Sequence, residues 1–89
     1  MNLYLRLAAL AQAQPDKTAI ENARRRVSYG EFDLTVRRIT GRLRAAGAGE
    51  GDVIGLRLHD TPEDVAALFA VLRIGAIVLP LDWRAPRAD

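Results

Sequence analysis

Residues 51–82 read GDVIGLRLHDTPEDVAALFAVLRIGAIVLPLD. Val53 to Leu58 alternates poorly and is mostly apolar, as a strand covered on both faces would be. Thr61-Pro62-Glu63-Asp64 is a helix start, with Thr as N-cap, Pro at the first helical position and two acids at the positive end of the helix dipole. From Val65 to Leu72, eight consecutive residues carry no polar side chain. Arg73 and Gly75 close that helix, and Ala76 to Leu79 is a second apolar run ended by Pro80. Strand, helix and strand in this order form a βαβ unit, whose right-handed crossover implies parallel strands. A helix apolar on every side must be covered on every side. Two strands and one further helix do not offer that surface, so the segment reads as part of a sheet whose other strands are missing. An isolated chain of this kind is expected to pack loosely and to bind hydrophobic dyes or self-associate.

Upstream, Ser28 and Glu31 form a capping box, so a helix is predicted to begin at Tyr29. Phe32, Val36, Ile39, Leu43 and Ala46 recur at steps of four and three, one stripe over four turns, and Gly47 closes it. Leu34, Gly41 and Ala45 lie across the wheel among Arg37 and Arg38, and the small Gly41 hints at close approach of another element. Thr18 to Glu21 and Arg26 to Ser28 are short β-prone runs around Asn22-Ala23-Arg24-Arg25, which predicts a hairpin with a polar tip. Residues 3–13 read as an amphipathic helix on Leu3, Leu7 and Leu10, ended by Pro15-Asp16. The class is therefore α/β, an N-terminal hairpin plus a βαβ unit with parallel strands.

Composition bounds the function. The 89 residues hold 13 Lys+Arg against 11 Asp+Glu, 49% hydrophobic residues and no Cys. A chain this short buries only about 60–65% of its unfolded surface, which excludes a large self-contained enzyme. Missing Cys removes disulfide scaffolds, thiolate zinc sites and thiol nucleophiles. The pI near 9.7 reflects an excess of two charges with the acids dispersed, so nucleic acid is not an expected partner. Leu3 to Ala13 has Arg6 inside its apolar run and no basic residue before it, the wrong order for an export signal. No stretch reaches the roughly 18 apolar residues that span a bilayer. A cytoplasmic location is expected.

Chemistry-bearing residues are few. Gly47, Gly49 and Gly51 follow a helix and feed a strand, the reverse of a phosphate loop, and read as turn formers. His59 beside Asp60 sits at the carboxyl end of a strand, where α/β folds place ligands, but no activated nucleophile accompanies the pair and solvated loop residues are the better reading. The run Arg24-Arg25-Arg26 reads as a solvated turn in preference to a phosphate patch. Ser28 is occupied as a cap, Asp82-Trp83 reads as turn and lid, and Lys17 is the single lysine available for a phosphate. No position is assigned as catalytic, cofactor-binding or metal-binding.

The ordered motifs do resemble a known family. PDKTAIEN at 15–22, then RRVSYGEF, GDVIGL, the TPED helix and VLPLD follow the N-terminal opening of the adenylate-forming (AMP-dependent) synthetases and ligases, which include acyl-CoA ligases and the adenylation domains of nonribosomal peptide synthetases. Pro15-Asp16, Ala19-Ile20, Val27-Ser28-Tyr29 and Glu31 carry the first part of the match. Gly51-Asp52, Val53-Ile54, Pro62-Glu63, Arg73, Gly75-Ala76 and Pro80-Leu81-Asp82 carry the rest. Asp60, where Asn is usual, and Trp83, where Pro is common, depart from the pattern and leave the substrate subclass open.

The resemblance implies joining of a carboxylate to ATP as an acyl adenylate, with magnesium and release of pyrophosphate, then transfer to a thiol. The family's Ser/Thr/Gly-rich loop ending in Pro-Lys-Gly, its aromatic adenine motif, its ribose-binding Asp and its C-terminal Lys have no counterpart in these residues. Residues 1–89 are therefore expected to be part of the N-terminal domain of such an enzyme, truncated before its nucleotide-binding motifs. Alone, the chain is expected to be catalytically silent and to need no cofactor. The alternative is an interaction module that completes a separately encoded remainder through the Leu34/Gly41/Ala45 face and the Val65 to Leu72 helix.

Overall fold

A computed structural model of the chain describes residues 3–59 and 61–81. The elements run α1 (Leu3–Ala13), β1 (Thr18–Glu21), β2 (Arg26–Ser28), α2 (Tyr29–Ala45), β3 (Val53–Arg57), α3 (Pro62–Arg73) and β4 (Ile77–Leu81). The β1–β2 pair is an antiparallel hairpin, and β3 and β4 form a separate parallel pair in which Val53 faces Ile77 and Arg57 faces Leu81.

The caps follow the side-chain chemistry. The Glu31 amide donates to Ser28 Oγ (3.2 Å), and the Ser28 amide donates to Glu31 Oε1 (3.4 Å). Two further amides in the first turn of α2 are taken by the chain ahead of the hairpin. Tyr29 N donates to the Lys17 carbonyl and Gly30 N to the Pro15 carbonyl, both at 2.9 Å. At α3, the Asp64 amide donates to Thr61 Oγ1 (3.2 Å). Pro62 occupies the first turn, where a missing N–H is harmless.

The expected shortage of cover for α3 is smaller in the structure than the sequence suggests. Ala66 and Ala70 are fully buried in one cluster with Phe32 and Val36 of α2, Tyr4 and Leu7 of α1, and Val27 of β2. Phe32 and Phe69 meet edge to face, with ring centroids 5.5 Å apart. Val71, Ile74 and Ala76 form a second cluster, packed by Ile54, Leu56 and Val78 from the strands and by Leu43 and Ala48. None of the eight residues from Val65 to Leu72 is exposed. The helix is flanked by helices on one side and by the strands on the other, whereas Ala67, Leu68 and Leu72 are half-buried and join neither cluster, so its all-round apolar character is matched within the described residues only in part.

The larger shortage lies on the sheet. Ile54, Leu56 and Val78 point toward α3, whereas Val53, Ile77, Leu79 and Leu81 are exposed by 61, 55, 50 and 40%. The expectation of a strand over Val53 to Leu58 covered on both faces is corrected accordingly: β3 ends at Arg57, and one face has no cover among the described residues. Pro80 does not end β4 either. It pairs in register with Leu56, and the strand runs on to Leu81. Gly41 has open space where a Cβ would stand, and Leu34 and Ala45 are exposed, so among the described residues no element packs closely against α2 at Gly41.

Two glycines separate strain from space. Gly75 has φ 76° and joins α3 to β4, where its carbonyl accepts from Gly51 N at 3.0 Å. A Cβ there would lie 3.2 Å from Glu50 Cγ. We expect Gly75→Ala to destabilise the chain by about 1–2 kcal/mol through the left-handed backbone alone. Gly41→Ala, on an ordinary helical backbone with open space, should stabilise it by about 0.5–1 kcal/mol. Urea denaturation followed by helical circular dichroism checks both signs.

Candidate functional site

The position where a βαβ unit presents ligands is the carboxyl end of its strands. Here β3 leads to His59, and α3 begins at Pro62. The His59 amide donates to Asp64 Oδ2 (2.8 Å), and His59 Nδ1 lies 3.2 Å from the same oxygen. Asp64, four residues beyond the neighbouring acid singled out in the sequence, is therefore the group that orients the imidazole. Asp60, Asp82 and Trp83 lie outside the described residues. A His–carboxylate contact can set a tautomer, but general base work also requires a proton-bearing nucleophile within reach. The nearby Thr61 hydroxyl instead accepts the Asp64 amide as the α3 cap.

The other residues weighed from sequence are architectural. Arg25 Nη1 binds Glu63 Oε1 at 2.7 Å, linking the hairpin tip to the start of α3, and Arg26 lies 3.6 Å from Glu21 across the hairpin. Both pairs are exposed and contribute about 0–1 kcal/mol each. Asn22 Oδ1 accepts from the amides of Arg24 and Arg25 at 2.9 Å, a turn built by a side chain mimicking backbone. Within the arginine run, Arg25 and Arg26 are paired with acids and the Arg24 amide is part of the Asn22 turn. Gly47 and Gly51 have φ 92° and 83°, and the Gly49 amide donates to Asp52 Oδ2 (2.8 Å), so the glycine-rich loop is closed upon itself as a turn. Lys17 has an exposed side chain, and its carbonyl is used by α2.

A polar network that sequence reasoning missed joins α1, α2 and α3. Tyr4 Oη donates to Asp33 Oδ1 (2.8 Å), and Arg37 Nη2 lies 3.1 Å from Asp33 Oδ2. Arg37 Nε also donates to Tyr4 Oη at 3.4 Å, and the Arg73 guanidinium stacks 4.6 Å from the centre of the Tyr4 ring. Asp33 is buried beside Phe32. Its i,i+4 spacing to Arg37 was the available signal, but only the fold brings Tyr4 over both. The Tyr4 hydrogen bond first, and the Asp33 carboxylate second, raise the Arg37 pKa above the ordinary guanidinium value. A pKa raised on folding gives stabilisation that is complete below the unfolded value and lost only as pH rises through the folded one. The Arg37 contribution is therefore constant across neutral pH.

Between α1, the hairpin, α2 and α3 runs a groove of about 320 Å³, lined by apolar side chains such as Leu3, Leu10, Ile20, Val65 and Phe69 together with Arg6 and Tyr29. Among the described residues its surface is mostly apolar, with Arg6 as its one cationic side chain. Among the described residues, no group of three or more His, Asp or Glu side chains could hold a metal ion. No described helix is long and apolar enough to cross a membrane.

A family model for the AMP-binding enzymes matches residues 7–89. The chain belongs to the AMP-binding enzyme family. It is 43% identical over 79 residues to the 3-hydroxybenzoate–CoA/4-hydroxybenzoate–CoA ligase of Thauera aromatica, covering 88% of this chain and 15% of that protein. It is 38% identical over 76 residues to the phosphinothricin tripeptide synthetase PhsC of Streptomyces viridochromogenes, covering 85% of this chain and 7% of that one.

Among solved structures, the N-terminal subdomain of Klebsiella oxytoca NpsA, in complex with anthranilyl-AMSN, superposes with a TM-score of 0.87 at 21% identity. That likeness covers 96% of this chain and 22% of the NpsA chain. A mutant coronafacic acid ligase of Pectobacterium brasiliense gives a TM-score of 0.89 at 27% identity, covering 96% of this chain and 17% of that one. The AMP-binding member described here thus spans a small fraction of the length of its relatives, and its α/β arrangement is that of part of their N-terminal subdomain.

The network yields a test. Tyr4→Phe leaves Asp33 Oδ1 without its hydroxyl donor and should cost about 1–3 kcal/mol in urea denaturation. Leu5→Ala, one position along and exposed, should stay within about 0.5 kcal/mol.

Proposed function

We propose that these residues are a scaffold segment of an ATP-dependent acid–thiol ligase and that the segment is catalytically silent by itself. In the whole enzyme, a carboxylate oxygen attacks the α-phosphorus of ATP, releasing pyrophosphate and leaving an acyl adenylate. A thiol then attacks the acyl carbon and releases AMP. Magnesium and a cytoplasmic location belong to the same reading.

The family match over residues 7–89 carries this proposal, because it attaches the chain to enzymes of which it spans only 7 to 15% in the relatives compared. The geometry supports the silent part. The α2 amides that could face an anion donate to Pro15, Lys17 and Ser28, and the glycine loop is closed by Asp52. His59 Nδ1 lies against Asp64, and the nearby Thr61 hydroxyl is engaged as the α3 cap. What the segment supplies is shape: three helices, a hairpin and a parallel strand pair on which further chain can build.

Carboxylate-dependent ATP–pyrophosphate exchange tests the reading. The purified 89-residue chain, assayed with benzoates, amino acids and fatty acids, should show no exchange above the protein-free blank. Exchange that co-elutes with the chain through two chromatographic steps would contradict it.

A further inference from the structure

From Leu34 onward, the exposed side of α2 carries charge of one sign. Between Asp33 and Glu50 the chain holds Arg37, Arg38, Arg42 and Arg44 and no acid. At about 100° per residue, Leu34 and Gly41 fall on one line of the helix, with Arg38 and Arg42 to one side of it and Arg37 and Arg44 to the other. Each of these residues is exposed. A further guanidinium joins the Arg37 edge, because Arg73 stacks on the Tyr4 ring whose hydroxyl accepts from Arg37 Nε. Asp33 is the carboxylate nearest this group, and both of its oxygens are already taken, by Tyr4 and Arg37. Among the described residues, the guanidinium groups of Arg38, Arg42, Arg44 and Arg73 form no ion pair. Arg42, Arg44 and Arg73 suit the negative ends of their helices. That preference does not account for Arg38, nor for the lack of any acid between the two rows.

We infer that this side of α2 is a docking surface for an acidic helix of a separate protein. Charge complementarity selects the class. A helix with Glu or Asp on both borders of an apolar seam would set them against both rows of arginines, as e and g positions do in paired helices. Leu34, 59% exposed, and the open space at Gly41 supply the seam on this chain. A cleft of about 550 Å³ between α1 and α2, bordered by Leu5, Leu34 and Arg37, extends it. Guanidinium groups in such number suit a separable partner, since permanent joints are depleted in charge at their centre. A lipid surface would find only Leu5 and Leu34 to take up. An extended polyanion would run into the exposed Glu31 and Glu50 that bracket the arginines, whereas a helix of matching length would not. The surface is independent of the catalytic reading, and the titration below can fail without touching it.

The test titrates the isotope-labelled 89-residue chain with a synthetic helical peptide carrying Leu at its a and d positions and Glu at e and g, at low ionic strength. Amide shifts should centre on Leu34 to Ala45 and Arg73, and affinity should fall as salt is added. Arg38→Gln with Arg44→Gln should weaken binding by roughly tenfold. Lys17→Gln with Arg24→Gln removes the same charge from other exposed positions and should stay within about twofold. Equal weakening by the two variants would overturn the inference, since net charge alone would then be responsible. Shifts centred on β3 and β4 would overturn it too.

The peptide supplies readings that need no variant. Lys in place of its Glu residues should abolish the shifts, and Pro at a central position should remove most of the affinity. Unchanged binding of either altered peptide would contradict an acidic helix as the occupant. Phosphatidylglycerol vesicles and single-stranded DNA are the competing polyanions. Tighter binding of either than of the peptide, weakened by the same arginine substitutions, would overturn the inference and assign the face to a membrane or to nucleic acid.

Discussion

The burial of α3 between α2 and the strands is the contact on which the other parts of the fold depend. It is possible because the side facing α2 is made of alanines. Ala66 and Ala70 let the helix axes approach, so that Phe32, Val36 and Phe69 interlock around them. At the carboxyl end, Val71 and Ile74 turn toward Ile54, Leu56 and Val78. Full burial of a side chain such as Val71 contributes about 1.5–3 kcal/mol, comparable with the combined effect of several surface ion pairs. The hairpin and α1 then close the far side, with Val27, Tyr4 and Leu7 completing the same cluster.

Local chemistry made much of this legible. The Ser28–Glu31 box, the Thr61-Pro62 start and the left-handed Gly47 and Gly75 mark boundaries because each supplies a donor, an acceptor or a backbone conformation that few residues can. What was not legible depends on which face meets which. The eight apolar residues from Val65 to Leu72 show that a helix is enclosed but not by what. The cover came from within the chain, and the deficit moved to Val53, Ile77, Leu79 and Leu81. Likewise, Leu3, Leu7 and Leu10 suggest the buried stripe of α1, whereas the structure centres it on Tyr4 and Leu7 and leaves Leu3 exposed. Tyr4 wins because its hydroxyl reaches Asp33 while its ring carries Arg73.

The candidate site shows the same division. Turn-forming glycines, a capping serine and a hairpin tip of arginines were readable from neighbours in sequence. The partner of His59 was not, since adjacency pointed to Asp60 and the helix start delivers Asp64. Polar side chains serve architecture: Ser28 and Thr61 cap helices, Asp52 closes a loop, and Asp33 ties α2 to α1 through Tyr4, whose ring carries Arg73 of α3. A family known for nucleotide chemistry is represented here by residues whose contacts are with one another.

The central claim is that the Ala66, Ala70 and Val71 side of α3 is buried by its own chain and that the most exposed apolar surface of the described residues is the outer face of β3 and β4. Amide hydrogen exchange on the 89-residue chain, resolved by residue, addresses it most directly. The account predicts that amides from Ala66 to Val71 exchange as slowly as those from Val36 to Thr40, through the same global opening. Exchange in α3 faster than in α1, through a local opening that leaves α2 protected, would contradict it.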